Sequence, residues 1–225
     1  MTGSPAQYIE HPTQVSPGAT TGPGHRAVAP ANIMIALAAA AGLAATYYLA
    51  VRTRTGQVLD SRVMDLTARA LLGAHWTATV LALVTPATVL LSITLLGALA
   101  WVLKGATAAV EASCTAVGTI LAATMAKALL ARPMFLDDGA NSLPSGHVAA
   151  VAGVAAGIAL VSSRATRPLV IVTGAGAVAI TGVATLASRW HRPSDVLASA
   201  LVATAVAATT RLTVTGSGAR CRQSQ

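Results

Sequence analysis

The sequence predicts an all-α fold, a polytopic membrane bundle of about six transmembrane helices. Three observations carry that expectation. Of 225 residues, 54% are apolar and only 10% are charged, against about 25% charged in soluble domains. From residue 31 onward the apolar residues come in runs long enough to cross a bilayer core, which takes about 20 helical residues. The charges also avoid those runs. Across residues 32–51, 77–101, 106–126, 147–163, 169–187 and 196–210, only Glu111 is charged, out of 15 basic and 7 acidic residues in the chain. A charge at mid-bilayer costs about 2.5–3.5 kcal/mol or more, so this segregation is what a membrane imposes.

The elements follow in order. Residues 1–30 carry Pro5, Pro12, Pro17, Pro23 and Pro30 among Gly, Ser, Thr and Gln. That composition cannot bury a core and reads as a disordered tail. It lacks the charged n-region of a secretory signal, and the apolar run after it is too long for an h-region. Residues 31–212 form the helical domain, and residues 213–225 a short polar, basic tail. Pro86 falls inside the second run and should kink it, a distortion that membrane helices tolerate. Gly153 and Gly157 form a G-x-x-x-G, read as close helix packing within the bundle. Gly174 and Gly176 read as packing glycines too, since no strand precedes them to make a nucleotide loop. Cys114, inside an apolar run, reads as a small buried hydrophobe and Cys221 as a free tail thiol.

The net charge is +8, but the basic residues stand singly between apolar runs instead of clustering, which argues against a nucleic-acid partner. Three connections hold the polar chemistry. The first runs from Lys127 to Arg132-Pro133 at the end of the third run. The second is Pro144-Ser145-Gly146-His147, opening the fourth. The third is Ser188-Arg189-Trp190-His191-Arg192-Pro193-Ser194-Asp195, leading into the sixth. Between His147 and His191 the chain has room for two spans and a turn, so both histidines surface on one side of the membrane, with Lys127 and Arg132 beside them.

The local chemistry suits a phosphoryl group. Ser145, Gly146 and His147 open a helix, whose free N–H groups and positive dipole end favour an anion. Gly146 lets a ligand approach the backbone. Asp195 lies four residues after His191, close enough to accept from its Nδ1–H and raise the basicity of Nε2. That makes His191 the candidate nucleophile and His147 the candidate general acid, with Arg and Lys neutralising the transferring group. Singly, each residue also reads as an ordinary boundary group; together on one side they read as a site. His11 and His25 read as inert tail residues, His75 beside Trp76 as an interface anchor, and Asp137-Asp138-Gly139 as a solvated turn. No metal site and no cofactor is expected.

These islands resemble the type-2 phosphatidic acid phosphatase superfamily, which includes bacterial lipid phosphate phosphatases. Its pattern is a Lys and an Arg-Pro, then Pro-Ser-Gly-His, then Ser-Arg followed by His-x-x-x-Asp. Residues 144–147 match in full, and His191 and Asp195 match in spacing. The resemblance implies six spans, a metal-independent reaction and a phosphohistidine on His191. It further implies His147 as proton donor, Asp195 as partner of His191, and Lys127, Arg132, Ser145 and Gly146 in contact with phosphate. The chain departs from the pattern twice. Lys127 and Arg132 stand closer together than the pattern has them, and the usual arginine position before His191 falls on Thr185. Arg189 or Arg192 must then supply the guanidinium, and Arg189 is favoured for its freedom in the loop.

The leading expectation is a membrane phosphatase acting on a lipid phosphate or pyrophosphate, of polyprenyl or phosphatidic type, with membrane lipids as its surroundings. A vanadate-dependent peroxidase would share the site but not the spans. An impaired, phosphatase-like scaffold or transporter is the non-enzyme alternative. With both termini inside, the inner segments carry seven Lys and Arg and the outer ones eight, four of which belong to the site. This bias and the resemblance together put the site on the extracytoplasmic side of the plasma membrane.

Overall fold

The computed structural model describes the backbone of residues 23–136 and 141–223, and the side chains of residues 30–136 and 141–213. Expectations for the first 22 residues, for the side chains of His25 and Cys221, and for the turn at Asp137, Asp138 and Gly139 lie outside the described residues. Within them the fold is wholly helical. The helices are α1 (Pro23–Thr46), continued by a π-helical turn (Tyr47–Val51), α2 (Arg54–Ala70), α3 (His75–Ala82), α4 (Pro86–Lys104), α5 (Ala106–Leu129), α6 (Gly146–Val161), α7 (Arg167–Ala187) and α8 (Pro193–Gln223). Helix thus begins at Pro23, inside the segment expected to be tail, and α8 carries on to Gln223.

Five segments are long and apolar enough to cross a membrane: Pro30–Val51, Pro86–Lys104, Ala106–Leu129, Arg167–Ala187 and Pro193–Thr213. The protein is a multi-pass membrane protein. Helix α6 is shorter, at 16 residues, or about 24 Å. Its outer neighbours show the inverted exposure that a lipid solvent demands, with Leu90, Leu103, Leu121, Leu169 and Val172 all facing outward. Cys114 is exposed in the same way, so it is not the buried residue its apolar setting suggested. In a bilayer an apolar run has no need to hide.

The second crossing is not one kinked helix. It is broken into α3 and α4. Thr85 Oγ1 accepts from Thr88 N at 3.2 Å while Thr88 Oγ1 accepts from Thr85 N at 2.9 Å, and Pro86 takes the first helical position. A reciprocal cap of this kind satisfies the N–H groups that the proline break would orphan.

Small residues set the packing of the inner helices. A Cβ on Gly157 would lie 2.8 Å from the Ala112 carbonyl oxygen, and one on Gly153 would lie 3.0 Å from that of Ala116. The G-x-x-x-G therefore docks α6 on α5 inside this chain. Gly174 meets the Ala155 Cβ, but Gly176 faces open space and packs on nothing. Gly157→Ala should accordingly overpack a backbone contact and lower stability by about 1–3 kcal/mol, whereas Gly176→Ala should not. Thermal unfolding of the two variants in the same detergent checks this, and equal melting temperatures would refute the packing argument.

Candidate active site

The three polar islands meet at one end of the bundle, where α5 ends, α6 begins and α7 turns into α8. Their hub is the carboxylate of Asp195, in the first turn of α8 and fully buried. Its Oδ2 accepts from the Ser142 hydroxyl at 2.5 Å and from Arg192 N at 2.9 Å. Its Oδ1 accepts from Arg132 Nη2 at 3.0 Å. The Nδ1 of His191 stands 3.4 Å from Oδ2, which directs the opposite ring nitrogen, Nε2, away from the carboxylate. Backbone contacts tie the starts of α6 and α8 together: Ser145 N donates to Asp195 O at 3.2 Å. The Ser199 hydroxyl lies 2.9 Å from Ser145 O and 2.8 Å from Asp195 O.

Arg132 follows the end of α5, and its side chain is 3% exposed. Besides Asp195, its Nη2 reaches Ser194 Oγ at 3.3 Å and stands 3.9 Å from Asp60 Oδ2. Its Nε and Nη1 are buried with no partner among the described residues. Unpaired buried donors on a cation are costly, and an anion bound there would remove the deficit. The loop that carries Arg132 is itself pinned. Tyr47 donates its hydroxyl to Ala131 O at 2.8 Å, and Gln57 Nε2 donates to Pro133 O at 2.7 Å.

Ser145 caps α6, its hydroxyl accepting from Val148 N at 3.5 Å. A Cβ on Gly146 would meet nothing within 4 Å, so the chain's own packing gives no reason for glycine at the mouth of this helix. The half-buried ring of His147 lies 5.6 Å from that of Trp190, next to His191 in the chain. Lys127, in the last turn of α5, is exposed.

The two arginines of the third island separate. Helix α7 ends in a left-handed cap: Trp190 N donates to Thr185 O at 3.0 Å and Arg189 N to Leu186 O at 2.9 Å, with Arg189 itself at φ 57°. That hydrogen-bond pair is the Schellman motif, with an arginine where glycine is usual. Arg189 therefore has none of the loop freedom expected of it. Its guanidinium pairs with Asp65 at 2.8 Å, half exposed on the flank of α2. Arg192 is the buried one, at 4% exposure, and its Nη1 donates to Ser142 Oγ at 3.1 Å. Thr185 is buried beneath the cap and offers its carbonyl oxygen, not its side chain, to this turn.

Sequence reasoning missed α2 altogether. Thr53 caps it, accepting from Gly56 N at 3.0 Å, and Gly56 lies so close to the Leu49 carbonyl oxygen that no Cβ fits. The helix turns Leu59, Val63 and Leu66 outward and buries Gln57 and Asp60. Asp60 Oδ1 accepts from Ser194 N at 2.9 Å, and Oδ2 accepts the Ser194 hydroxyl. Burial pushes the Asp60 carboxyl above the ordinary carboxylate range, outweighing those two hydrogen bonds. The outward spacing at 59, 63 and 66 was readable as an amphipathic stripe, but its polar face pointed to no partner in the sequence. Ser142 carried no signal of its own.

Among the described residues there is no cluster of His, Cys, Asp and Glu that could hold a metal ion. No curated protein matches the chain significantly, and no solved structure does. The family model of the PAP2 superfamily matches residues 86–218; its members are generally phosphatases acting on phosphate esters, often those of lipids. The match starts at the proline that opens α4 and runs through all three islands, more than half of the sequence, and the chain belongs to the PAP2 superfamily.

Proposed function

We propose that the protein hydrolyses a phosphate or pyrophosphate ester of a membrane lipid through a phosphohistidine on His191. The observation that carries this reading is the juxtaposition of His191 on a buried carboxylate with a buried arginine whose Nε and Nη1 have no partner among the described residues. Neutral His191, with its proton on Nδ1 facing Asp195, attacks phosphorus through Nε2. The P–O bond to the lipid breaks, and His147 gives its proton to the leaving oxygen. Asp195 stabilises the positive charge left on the His191 ring. Neutral His147 then takes a proton from water as that water attacks phosphorus, the P–N bond breaks, and phosphate leaves. Arg132, Arg192, Lys127 and the first-turn N–H groups of α6 offset the charge on the transferring oxygens. The site lies at one end of the membrane-length helices, which suits a substrate whose tail stays in lipid. Arg192 takes the role of the missing arginine, because Arg189 is held by Asp65. A buried guanidinium beside the hub also speaks against an impaired scaffold.

His191→Ala should abolish both turnover and covalent labelling by a radiolabelled phosphate ester. His147→Ala should slow formation of the intermediate most when the leaving group is poor, and less for an activated aryl phosphate. Retention of full activity in His191→Ala would refute the mechanism.

The arginine assignment has its own test. Loss of one charge-assisted clamp should cost about 10²–10³ in kcat, so Arg192→Ala should fall by that factor. Arg192→Lys should recover little, because an ammonium cannot reproduce the planar fork. Arg189→Gly suits the left-handed cap and removes only an exposed ion pair, worth at most about 1 kcal/mol; its kcat should stay near that of the parent. The reverse pattern would return the role to Arg189.

Asp60 gives a pH dependence whose sign is fixed by its environment. Its folded-state affinity for a proton exceeds that of the unfolded chain, whose ordinary value is 3.8. As pH falls from neutral through the raised value, the folded protein takes up this proton first, so the Asp60 contribution to stability rises and levels off below 3.8. Asp60→Asn removes the titration and keeps an acceptor for Ser194. Melting temperatures taken from pH 7 downward should therefore show the parent gaining on the variant as pH falls, whereas parallel curves would mean that Asp60 does not titrate in this range.

A further inference from the structure

Below the site, α7 and α8 do not close on each other. Gly182 seats against Val196, where a Cβ would come within 2.7 Å of Cγ1. An apolar groove of about 830 Å³ runs between the two helices, floored by α6 and edged by the first turns of the membrane part of α1. Its wall on α8 extends from Pro193 to Arg211, about 27 Å of helix, close to the thickness of a bilayer core. The walls are Val178, Ala179, Leu197, Ala200 and their like, with nothing charged until the foot.

The foot lies at the end of the bundle opposite His191, and there the lining changes to Asn32, Arg167 and Arg211. Both guanidiniums are held in place by the C-terminal carbonyls of α6. Arg167 donates from Nε to Ala159 O at 3.0 Å and from Nη2 to Ser162 O at 2.9 Å. Arg211 donates from Nη2 to Leu160 O at 3.0 Å, and its Nε stands 3.5 Å from Glu111 Oε1. One carboxylate faces two arginines, so the foot keeps a net positive charge where the groove meets the membrane surface. Glu111, the lone charge within the apolar runs, finds its purpose in fixing one of those arginines.

We infer that this groove binds an anionic glycerophospholipid from the leaflet opposite the active site, its chains along α7 and α8 and its phosphate at Arg167 and Arg211. The half of the groove next to its foot is as long as one leaflet's acyl chains, about 15 Å, and the sign of the foot selects the headgroup. Prefixed arginines give a phosphate a charge-assisted contact without further loss of side-chain freedom. A zwitterionic lipid would bring its own cation to the same place and gain less.

The inference is independent of the hydrolytic reading, since it involves none of the residues placed in the site. Native mass spectrometry of the detergent-solubilised protein, titrated with phosphatidylglycerol or phosphatidylcholine, tests it. One phosphatidylglycerol should be retained at least tenfold more tightly than phosphatidylcholine. Arg167→Gln should bring the two lipids close to parity, Arg167→Lys should keep part of the preference, and Ala200→Trp should block retention by filling the groove. Circular dichroism melting of each variant verifies that it is folded. Equal retention of the two lipids by the parent would overturn the inference, as would a preference that survives both Arg167→Gln and Arg211→Gln. Displacement of the lipid by millimolar inorganic phosphate would show an anion site that does not hold the chains. Oxidative crosslinking of an Ala175→Cys variant that also carries Cys114→Ser and Cys221→Ser into dimers in the membrane would show a second copy of the chain in the groove. Either result would overturn it too.

Discussion

A carboxylate with no access to solvent dominates the architecture of the polar end. Burying a charge costs several kcal/mol unless every lone pair is met, and Asp195 meets its own with groups from three separate stretches of chain. Ser142 comes from the connection before α6, Arg132 from the end of α5, and His191 and the Arg192 amide from the turn into α8. None of these stretches has regular structure of its own to hold it. Their common attachment to Asp195 makes the separate islands one site, and it explains why a histidine in the turn between α7 and α8 can keep a fixed orientation.

The cluster also has an internal symmetry. Arg192 donates to the Ser142 hydroxyl, which donates to Asp195; Arg132 donates to the Ser194 hydroxyl, which donates to Asp60. Each serine therefore passes the field of an arginine to a carboxylate, and each arginine is anchored without a carboxylate enclosing all its N–H groups. Arg132 is left with two nitrogens, Nε and Nη1, buried and unused by the described residues. An arginine held this way needs little reorganisation when an anion arrives, which is the condition under which a fixed cation contributes most to a transition state.

How far this was readable from the sequence depended on whether a feature is local or tertiary. The spans were legible because a bilayer excludes charge, and the convergence of His147 and His191 was legible because two crossings of fixed length bring the chain back. The G-x-x-x-G was legible for the same kind of reason, as backbone proximity requires small residues. The break at Pro86 depended on Thr85 and Thr88 capping each other, a pattern available in the sequence but weaker than the proline itself. Arg189 misled because its position in a connection suggests freedom, while the cap at the end of α7 fixes its φ and Asp65 holds its head. Cys114 misled because apolar context means burial in water and exposure in lipid.

Helix α2 was missed although its apolar stripe was readable, because nothing local ties its polar face to a partner, and it changes what the site is. It lies before Pro86, where the family match begins, yet Gln57 pins the loop of Arg132 and Asp60 takes both hydrogen bonds from Ser194. Among the described residues, the matched region sets the histidines and arginines of the site against the carboxylate of Asp195, an excess of positive charge. Asp60, held by the amphipathic helix outside that region, moderates the excess from the α2 side. Its own tendency to protonate follows first from burial, with a smaller push from the neighbouring Asp195 carboxylate, and against the pull of Ser194 and Arg132. The strength with which Arg132 draws an anion is therefore set partly by a helix that the shared motifs do not include. The same helix turns Leu59, Val63 and Leu66 away from the site, so its polar face alone serves the cluster.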